Sequence, residues 1–242
     1  MLNLITHLPK EAWERARMRT PEETAGDPRY VPALGYHFLT PLYDTATALM
    51  TRETTWRKAL VKQIALNPRD VVLDVGCGTG TLAVMLKRAS PYATVYGIDP
   101  DPDVLGRAEI KARDKGALVH FMKGYGADVA ERSASLRVTK IVSSLVLHQV
   151  PLDGKREILG NMFAALKSGG EVHIADYGLQ RSPAMRLLFR QIQHLDGCEG
   201  TQPNADGIVP VLMEEIGFDN VRENRVIATP TGSISLYSGR KA

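Results

Sequence analysis

Val72-Leu73-Asp74-Val75-Gly76-Cys77-Gly78-Thr79-Gly80 (residues 72–80) is the stretch that decides the fold. With Val71 ahead of it, the segment opens as a short run rich in β-branched residues, bounded by Asp70 and Gly76. Such a run reads as a strand buried on both faces of a parallel sheet. Three glycines at alternate positions follow, and Thr81 to Arg88 reads as a helix. Glycine accepts positive φ and lets backbone pass close beneath a ligand. The helix start offers unpaired N–H groups and a partial positive charge, which suit a carboxylate or a phosphate. Asp74 sets an acid at the carboxyl end of the strand, where open α/β sheets bind their ligands.

Outward from this turn the same rhythm repeats. Val95 to Ile98 is a second strand ending at Asp99, and Pro102 to Lys115 is a helix with proline in its first turn. Leu118 to Met122 and Val138 to Leu145 are the third and fourth strands. Asp153 to Lys167 is a helix starting near Asp153 or Gly154, closed by Ser168-Gly169-Gly170, and Glu171 to Asp176 is the fifth strand. Strand and helix in alternation predict an α/β fold, a doubly wound parallel sheet with helices on both faces. The end of the chain departs from the pattern. After a short helix, Val209 to Ile216, the runs Val221 to Ala228 and Ser233 to Ser238 are joined only by Thr229-Pro230-Thr231-Gly232. So short a link makes a hairpin, so the last strand is expected to run antiparallel.

Ahead of the sheet, Leu49, Trp56, Leu60 and Ile64 lie near one face of a helical run from Leu42 to Leu66, which Asn67-Pro68 ends. Residues 1–66 are therefore read as an N-terminal helical cap segment and 67–242 as the ligand-binding domain. Within the latter, about 178–208 is a cap insertion. Met185, Leu188, Ile192 and Leu195 form one apolar stripe there, which suits a helix packed on the sheet, a cover over a substrate pocket, or both.

Composition narrows the function. The chain has 242 residues, 44% hydrophobic and 24% charged, with 30 Lys plus Arg against 27 Asp plus Glu. These are the proportions of a soluble globule, not of a disordered chain, a collagen or a disulfide-stapled miniprotein. A net charge of +3 is too small to mark a nucleic-acid binder. Two cysteines, Cys77 and Cys198, exclude a Cys-rich zinc site and point to a reducing compartment. Asp176, His148 and His173 have no ligand-like spacing, so no metal is expected. The N-terminus lacks a signal-peptide pattern and no apolar stretch is long enough to span a bilayer, so the expected location is the cytoplasm, with no membrane partner.

The glycine turn excludes some ligands. A Walker loop requires Gly-Lys-Ser/Thr, but the chain reads Gly80-Thr81-Leu82. A dinucleotide turn wants glycine or alanine where Thr81 stands, and Asp74 would repel a pyrophosphate. A ligand with an amine beside a carboxylate suits the acid better. Asp99, at the end of the second strand, can accept both hydroxyls of a ribose, as dinucleotides and S-adenosyl ligands both require.

On these residues the chain resembles the class I S-adenosylmethionine-dependent methyltransferases, and within them the ubiquinone/menaquinone-biosynthesis group. Its carriers are Tyr43-Asp44, the turn from Leu73 to Gly80, Gly97-Ile98-Asp99, Gly124-Tyr125-Gly126, Ser143 to His148, Leu166 to Gly170, and Gly217-Phe218. The resemblance covers roughly residues 36–240 and implies a seven-stranded sheet with an antiparallel last strand. It implies S-adenosylmethionine as cofactor, with Gly76, Cys77, Gly78, Thr79 and Gly80 under its methionine part and Asp74 facing the ammonium. Asp99, followed by Pro100, would hold the ribose, Ser144 would line the sulfonium, and Tyr43 would approach from the N-terminal helix. The family often places an acid after the third strand, against the adenine amine. This chain has Gly124-Tyr125-Gly126-Ala127-Asp128, so Tyr125, Gly126 and Ala127 line that end and either Asp128 or backbone meets the amine. His148, after the fourth strand, is the candidate general base, with His194 a weaker one. The expected activity is methyl transfer to O, N or C of a small aromatic or quinone-like acceptor. The expected partners are that acceptor and, where a protein partner exists, a second copy of the chain. The rival functions are a non-catalytic S-adenosyl-binding protein and a nicotinamide oxidoreductase.

Overall fold

The computed structural model describes residues 51–242. Helix α1 (Glu53–Ile64) leads into β1 (Val71–Val75), α2 (Thr81–Ala89), β2 (Thr94–Asp99), α3 (Pro102–Asp114) and β3 (His120–Lys123). A short 3-10 turn (Gly126–Asp128) and α4 (Val129–Arg132) precede β4 (Lys140–Ser144). A second 3-10 turn (Leu147–Gln149), α5 (Leu152–Ala165) and β5 (Glu171–Tyr177) come next. The chain then forms α6 (Pro183–Asp196), α7 (Cys198–Ala205), α8 (Ile208–Ile216), β6 (Asp219–Thr229) and β7 (Gly232–Arg240).

The seven strands form one sheet in the order β3-β2-β1-β4-β5-β7-β6. The first five are parallel, and β7 runs antiparallel to both β5 and β6. The expected hairpin and antiparallel last strand are both present. The order reverses between β1 and β4, which opens a crevice at the carboxyl ends of those strands.

Strand alternation divides the core between the two faces. Leu73, Val75, Ile141 and Ile174 pack with Leu159 and Met162 of α5 and Leu212 and Met213 of α8. Val72, Val142 and Ala175 pack on the other face with Trp56 and Leu60 of α1, Leu82 and Leu86 of α2, and Phe189 of α6. Helix α1, which the sequence groups with the N-terminal segment, is thus part of the sheet's own core. Asp74 alternates onto this second face, next to Val72, and is fully buried there. No helix among the described residues is long and apolar enough to cross a membrane.

The element boundaries differ from the sequence reading at several points. β3 begins at His120 because its pairing with β2 starts at Tyr96, and Leu118 is left 68% exposed. β4 ends at Ser144 because Leu145 takes φ 57°, a left-handed conformation that stops an extended strand. Helix α5 starts at Leu152, one residue before Asp153, with Pro151 in the capping position. In α6 the buried residues are Phe189 and Ile192, while Leu195 is 54% exposed. The buried stripe turns in the last helical turn, where Asp196 and not Leu195 faces inward. Helix α7 carries Gly200 and Pro203, both poor helix formers, and has no helical signal in the sequence.

Candidate active site

Gly76, Gly78 and Gly80 all take positive φ, at 69°, 53° and 72°. Two of them are fixed by packing. A Cβ on Gly76 would come within 2.3 Å of Val146, and one on Gly80 within 2.9 Å of Ala108 and Phe121. At Gly78 nothing lies within 4 Å, so the middle of the turn faces open space. The side chains between the glycines point elsewhere. Cys77 is buried, close to where a Cβ on Gly97 would lie, and Thr79 Oγ1 accepts a 2.7 Å hydrogen bond from Lys111 Nζ.

Asp74 is the site's electrostatic anomaly. It is 0% exposed, and neither carboxylate oxygen has a hydrogen-bond partner. Burial raises its pKa to about 7, with Arg57 opposing the rise, Asp99 adding to it and the nearby Ala83 amide opposing it more weakly. A carboxylate buried without a partner costs several kcal/mol, so a fold retains one only for a strong reason. Asp99 is held differently. Its Oδ2 accepts from the Gly78 amide at 2.9 Å and its Oδ1 from the Asp101 amide at 3.1 Å. Each oxygen keeps a further lone pair, so the fixed carboxylate can still accept from two hydroxyls. Burial also raises the pKa of Asp99. These features fit a ligand with an ammonium at one end and a diol further along.

Pro100, Tyr125, Gly126 and Ala127 are partly buried on the loops that follow β2 and β3. Asp128 Oδ2 accepts from the Tyr125 amide at 3.1 Å and closes the short turn. A Cβ on Gly126 would come within 2.7 Å of Ile158, so this turn lies tight against α5. At the end of β4, Ser143 is committed to the fold through a 2.8 Å bond to the Val75 carbonyl, and Ser144 is half-buried beside it. Tyr43 lies outside the described residues.

The loop after β4 carries a second polar centre. His148 is 3% exposed. Its Nδ1 lies 2.7 Å from Asp176 Oδ1, and its Nε2 lies 3.3 Å from Asp196 Oδ2. Burial alone would lower the pKa of this imidazole, but Asp176 and then Asp196 outweigh it and hold the pKa at about 9. Asp176 also organises the loop itself. Its Oδ2 accepts from the amides of Val146 and Leu147 at 3.0 and 2.7 Å, and its Oδ1 from the Tyr177 amide at 2.8 Å. Lys155 of α5 is fully buried and donates to the carbonyls of Leu147, Val150 and Gly200 at 2.5, 2.6 and 2.7 Å. Asn204 of α7 donates to the Tyr177 carbonyl at 2.8 Å, and its own Oδ1 is buried without a partner.

Asp176 and His148 thus meet, whereas His173 sits at the opposite end of β5, bonded to Gln63 and Glu171. Among the described residues, no group of three or more His, Cys, Asp or Glu is placed to hold a metal. His194 is exposed on α6. Lys155, Asp196 and Asn204 do not stand out in the sequence. They lie 7, 48 and 56 positions from His148 on three different helices, and no local spacing links them.

In fold and in its glycine turn the chain is similar to the class I S-adenosylmethionine-dependent methyltransferases, whose cofactor is S-adenosylmethionine. Residues 72–170 match the family model described as a methyltransferase domain. Within that class the chain resembles the ubiquinone/menaquinone-biosynthesis group. It is 26% identical over 239 residues to the ubiquinone/menaquinone biosynthesis C-methyltransferase UbiE of a Geobacter species, covering 84% of this chain and 93% of that protein. It is 25% identical over 154 residues to the demethylmenaquinone methyltransferase of Thermus thermophilus, covering 63% of this chain and 68% of that protein. Among solved structures, an O-methyltransferase family protein from Burkholderia thailandensis superposes with a TM-score of 0.64 at 20% identity. That match covers 82% of this chain but only 58% of the solved one. Magnesium protoporphyrin IX methyltransferase from Synechocystis, solved with bound SAH, superposes with a TM-score of 0.59 at 17% identity, covering 86% of this chain and 90% of that one.

Proposed function

We propose that the chain transfers the methyl group of S-adenosylmethionine to O, N or C of a small aromatic or quinone-like acceptor. One observation carries this reading: Asp74 of β1 is buried with both oxygens unpartnered, four residues ahead of Gly78, where the turn faces open space. In this assignment Asp74 faces the ammonium of the methionine part. The backbone of Gly76, Cys77, Gly78, Thr79 and Gly80 passes beneath that part. Asp99, with Pro100 after it, takes the ribose hydroxyls. Tyr125, Gly126 and Ala127 line the adenine, and since Asp128 Oδ2 already accepts the Tyr125 amide, backbone is the better-supported partner of the adenine amine. Ser144 borders the sulfonium, and Tyr43 is assigned to the same end from the N-terminal segment. The acceptor class rests on the activities for which the quinone-pathway relatives are named.

When bound, the cofactor supplies a methyl group activated by positive sulfur, so the protein's tasks are alignment and exclusion of water. Orientation of that kind is worth about 7–11 kcal/mol in well-aligned cases. His148 stands on the loop after β4, close behind Ser144, and is assigned the acceptor's proton. Asp176 holds its Nδ1, so Nε2 is the nitrogen that would take it. A positioned base of this kind contributes about 10²–10⁴ in rate. The nicotinamide alternative is disfavoured by Asp74, whose negative charge would meet a pyrophosphate.

Calorimetry with S-adenosylhomocysteine and NAD side by side tests the cofactor assignment, with binding expected only for the first. A screen of quinones, phenols and aromatic amines with methyl-labelled donor then tests the acceptor class. Label transfer confined to aliphatic or macromolecular acceptors would overturn that part, and binding without any turnover would favour a regulatory S-adenosyl-binding protein.

A further inference from the structure

The assignment of His148 as proton acceptor, on which this inference rests, meets a geometric obstacle. The imidazole is buried and both of its nitrogens are occupied. A general base must come within hydrogen-bond reach of its proton donor. Nε2 can do so only if Asp196 leaves it.

The two carboxylates are not equivalent. Asp176 is 1% exposed on β5, lies at 2.7 Å, and is fixed by three backbone amides. Asp196 is 12% exposed and lies at 3.3 Å. It is the last residue of α6, and Gly197 behind it takes φ 82°, ψ 157°, a conformation open essentially to glycine alone. Helix α7, beyond that glycine, is anchored by Lys155 on Gly200 and by Asn204 on Tyr177. The last turn of α6 therefore ends at a pivot whose far side is fixed. Beneath it, Asn204 Oδ1 is a buried acceptor with no donor, so the cluster under the cap is incomplete as it stands.

We propose that Asp196 is a positioning residue that latches the end of the cap helix onto His148, and that its release hands Nε2 to the methyl acceptor. On release the Nε2 proton passes to the Asp196 carboxylate, leaving a neutral imidazole whose Nδ1–H stays on Asp176. The Nε2 lone pair then takes the proton of an acceptor O–H or N–H as that atom bonds to the methyl carbon. The methyl–sulfur bond breaks, and its electron pair stays on sulfur as a neutral thioether. The groups that face His148 are Asp176 from β5, Asp196 from α6, Lys155 from α5 on the Leu147 carbonyl, Asn204 from α7 near Asp176, and the Tyr177 ring edge-on at 5.0 Å. Of these, only Asp196 binds Nε2.

Two measurements that need no turnover test the latch. Carbethoxylation by diethylpyrocarbonate reads whether a neutral imidazole nitrogen is available, and peptide mass mapping separates His148 from the exposed His194. In the wild type His148 is expected to react far more slowly than His194. In Asp196→Asn and Asp196→Ala it should react at least tenfold faster than in the wild type. In a histidine-labelled NMR titration, with His148→Gln to assign the signal, the midpoint should lie near pH 9 in the wild type and fall in Asp196→Asn. Asp196→Asn keeps the helix end's shape and answers the question should the alanine variant fail to fold. Unchanged reactivity and an unchanged midpoint in Asp196→Asn would overturn the latch. Failure of S-adenosylhomocysteine to bind the wild type would instead overturn the cofactor-site reading and leave both latch measurements interpretable.

Discussion

Replacing Asp74 with Asn should make the unliganded protein more stable and its cofactor binding worse. The two effects have one cause. In the folded chain burial raises the Asp74 pKa from 3.8 to about 7. A carboxyl whose folded pKa lies above its unfolded one favours folding while protonated. That contribution is whole below about pH 3.8 and is lost as pH rises to about 7. The gap between 3.8 and about 7, at about 1.36 kcal/mol per pH unit, is on the order of 4 kcal/mol at neutral pH. Asn cannot ionise, so the variant avoids this loss. Its melting curve should coincide with the wild type near pH 4 and lie higher at neutral pH, by roughly 2–4 °C for each kcal/mol in a chain of this size.

Binding should change the other way. An ammonium beside Asp74 needs the carboxylate, so wild-type affinity for S-adenosylhomocysteine should weaken roughly tenfold from about pH 8 to about pH 6 as the acid protonates. The variant should lose that pH dependence and, with a buried cation left unpaired at about 3–5 kcal/mol, bind at least a hundredfold more weakly. Differential scanning calorimetry and titration calorimetry on both proteins test this. Wild-type affinity in Asp74→Asn would refute the ammonium assignment. A lower melting temperature for the variant at neutral pH would refute the account of a carboxylate held without a partner.

Three further outcomes follow from the same geometry. Asp99→Ala removes the acceptor of the Gly78 and Asp101 amides along with the proposed ribose bonds, each about 1.5–3 kcal/mol, so affinity for S-adenosylhomocysteine should fall tenfold or more; unchanged affinity would refute the ribose assignment. His148, with its folded pKa of about 9 above the ordinary 6.5, should lend stability that is complete below about pH 6.5 and disappears as pH rises through about 9, on the order of 3 kcal/mol in all; the stability difference between wild type and His148→Gln should shrink across that window, and a flat difference would contradict the double ion pair. Lys155→Met leaves two buried carbonyls and one part-buried carbonyl without their shared donor, which at about 1–3 kcal/mol each should cost roughly 3 kcal/mol or more; an unchanged denaturation midpoint would show that the loop does not depend on it.

What can be read from the sequence is what neighbouring residues encode among themselves. The strand, the glycine turn and the helix of 71–89 are one local unit, and Asp74 and Asp99 fall at strand ends that the alternation locates. The hairpin comes from the length of one link. The polar centre around His148 is of another kind. Asp176 is visible as the end of β5, but its partnership with His148 arises from the parallel pairing of β4 with β5, which sets Ser144 against Ala175 and so brings the two strand ends together. Asp196 is hidden because the spacing of the α6 stripe points on to Leu195, whereas the last helical turn gives its inward position to a charge. An apolar period predicts a buried face only while hydrophobic burial dominates the local free energy. Where a buried cation requires a counter-charge, the several kcal/mol at stake exceed the roughly 1.5–3 kcal/mol of one leucine, and the rule fails at the position where the chemistry is concentrated.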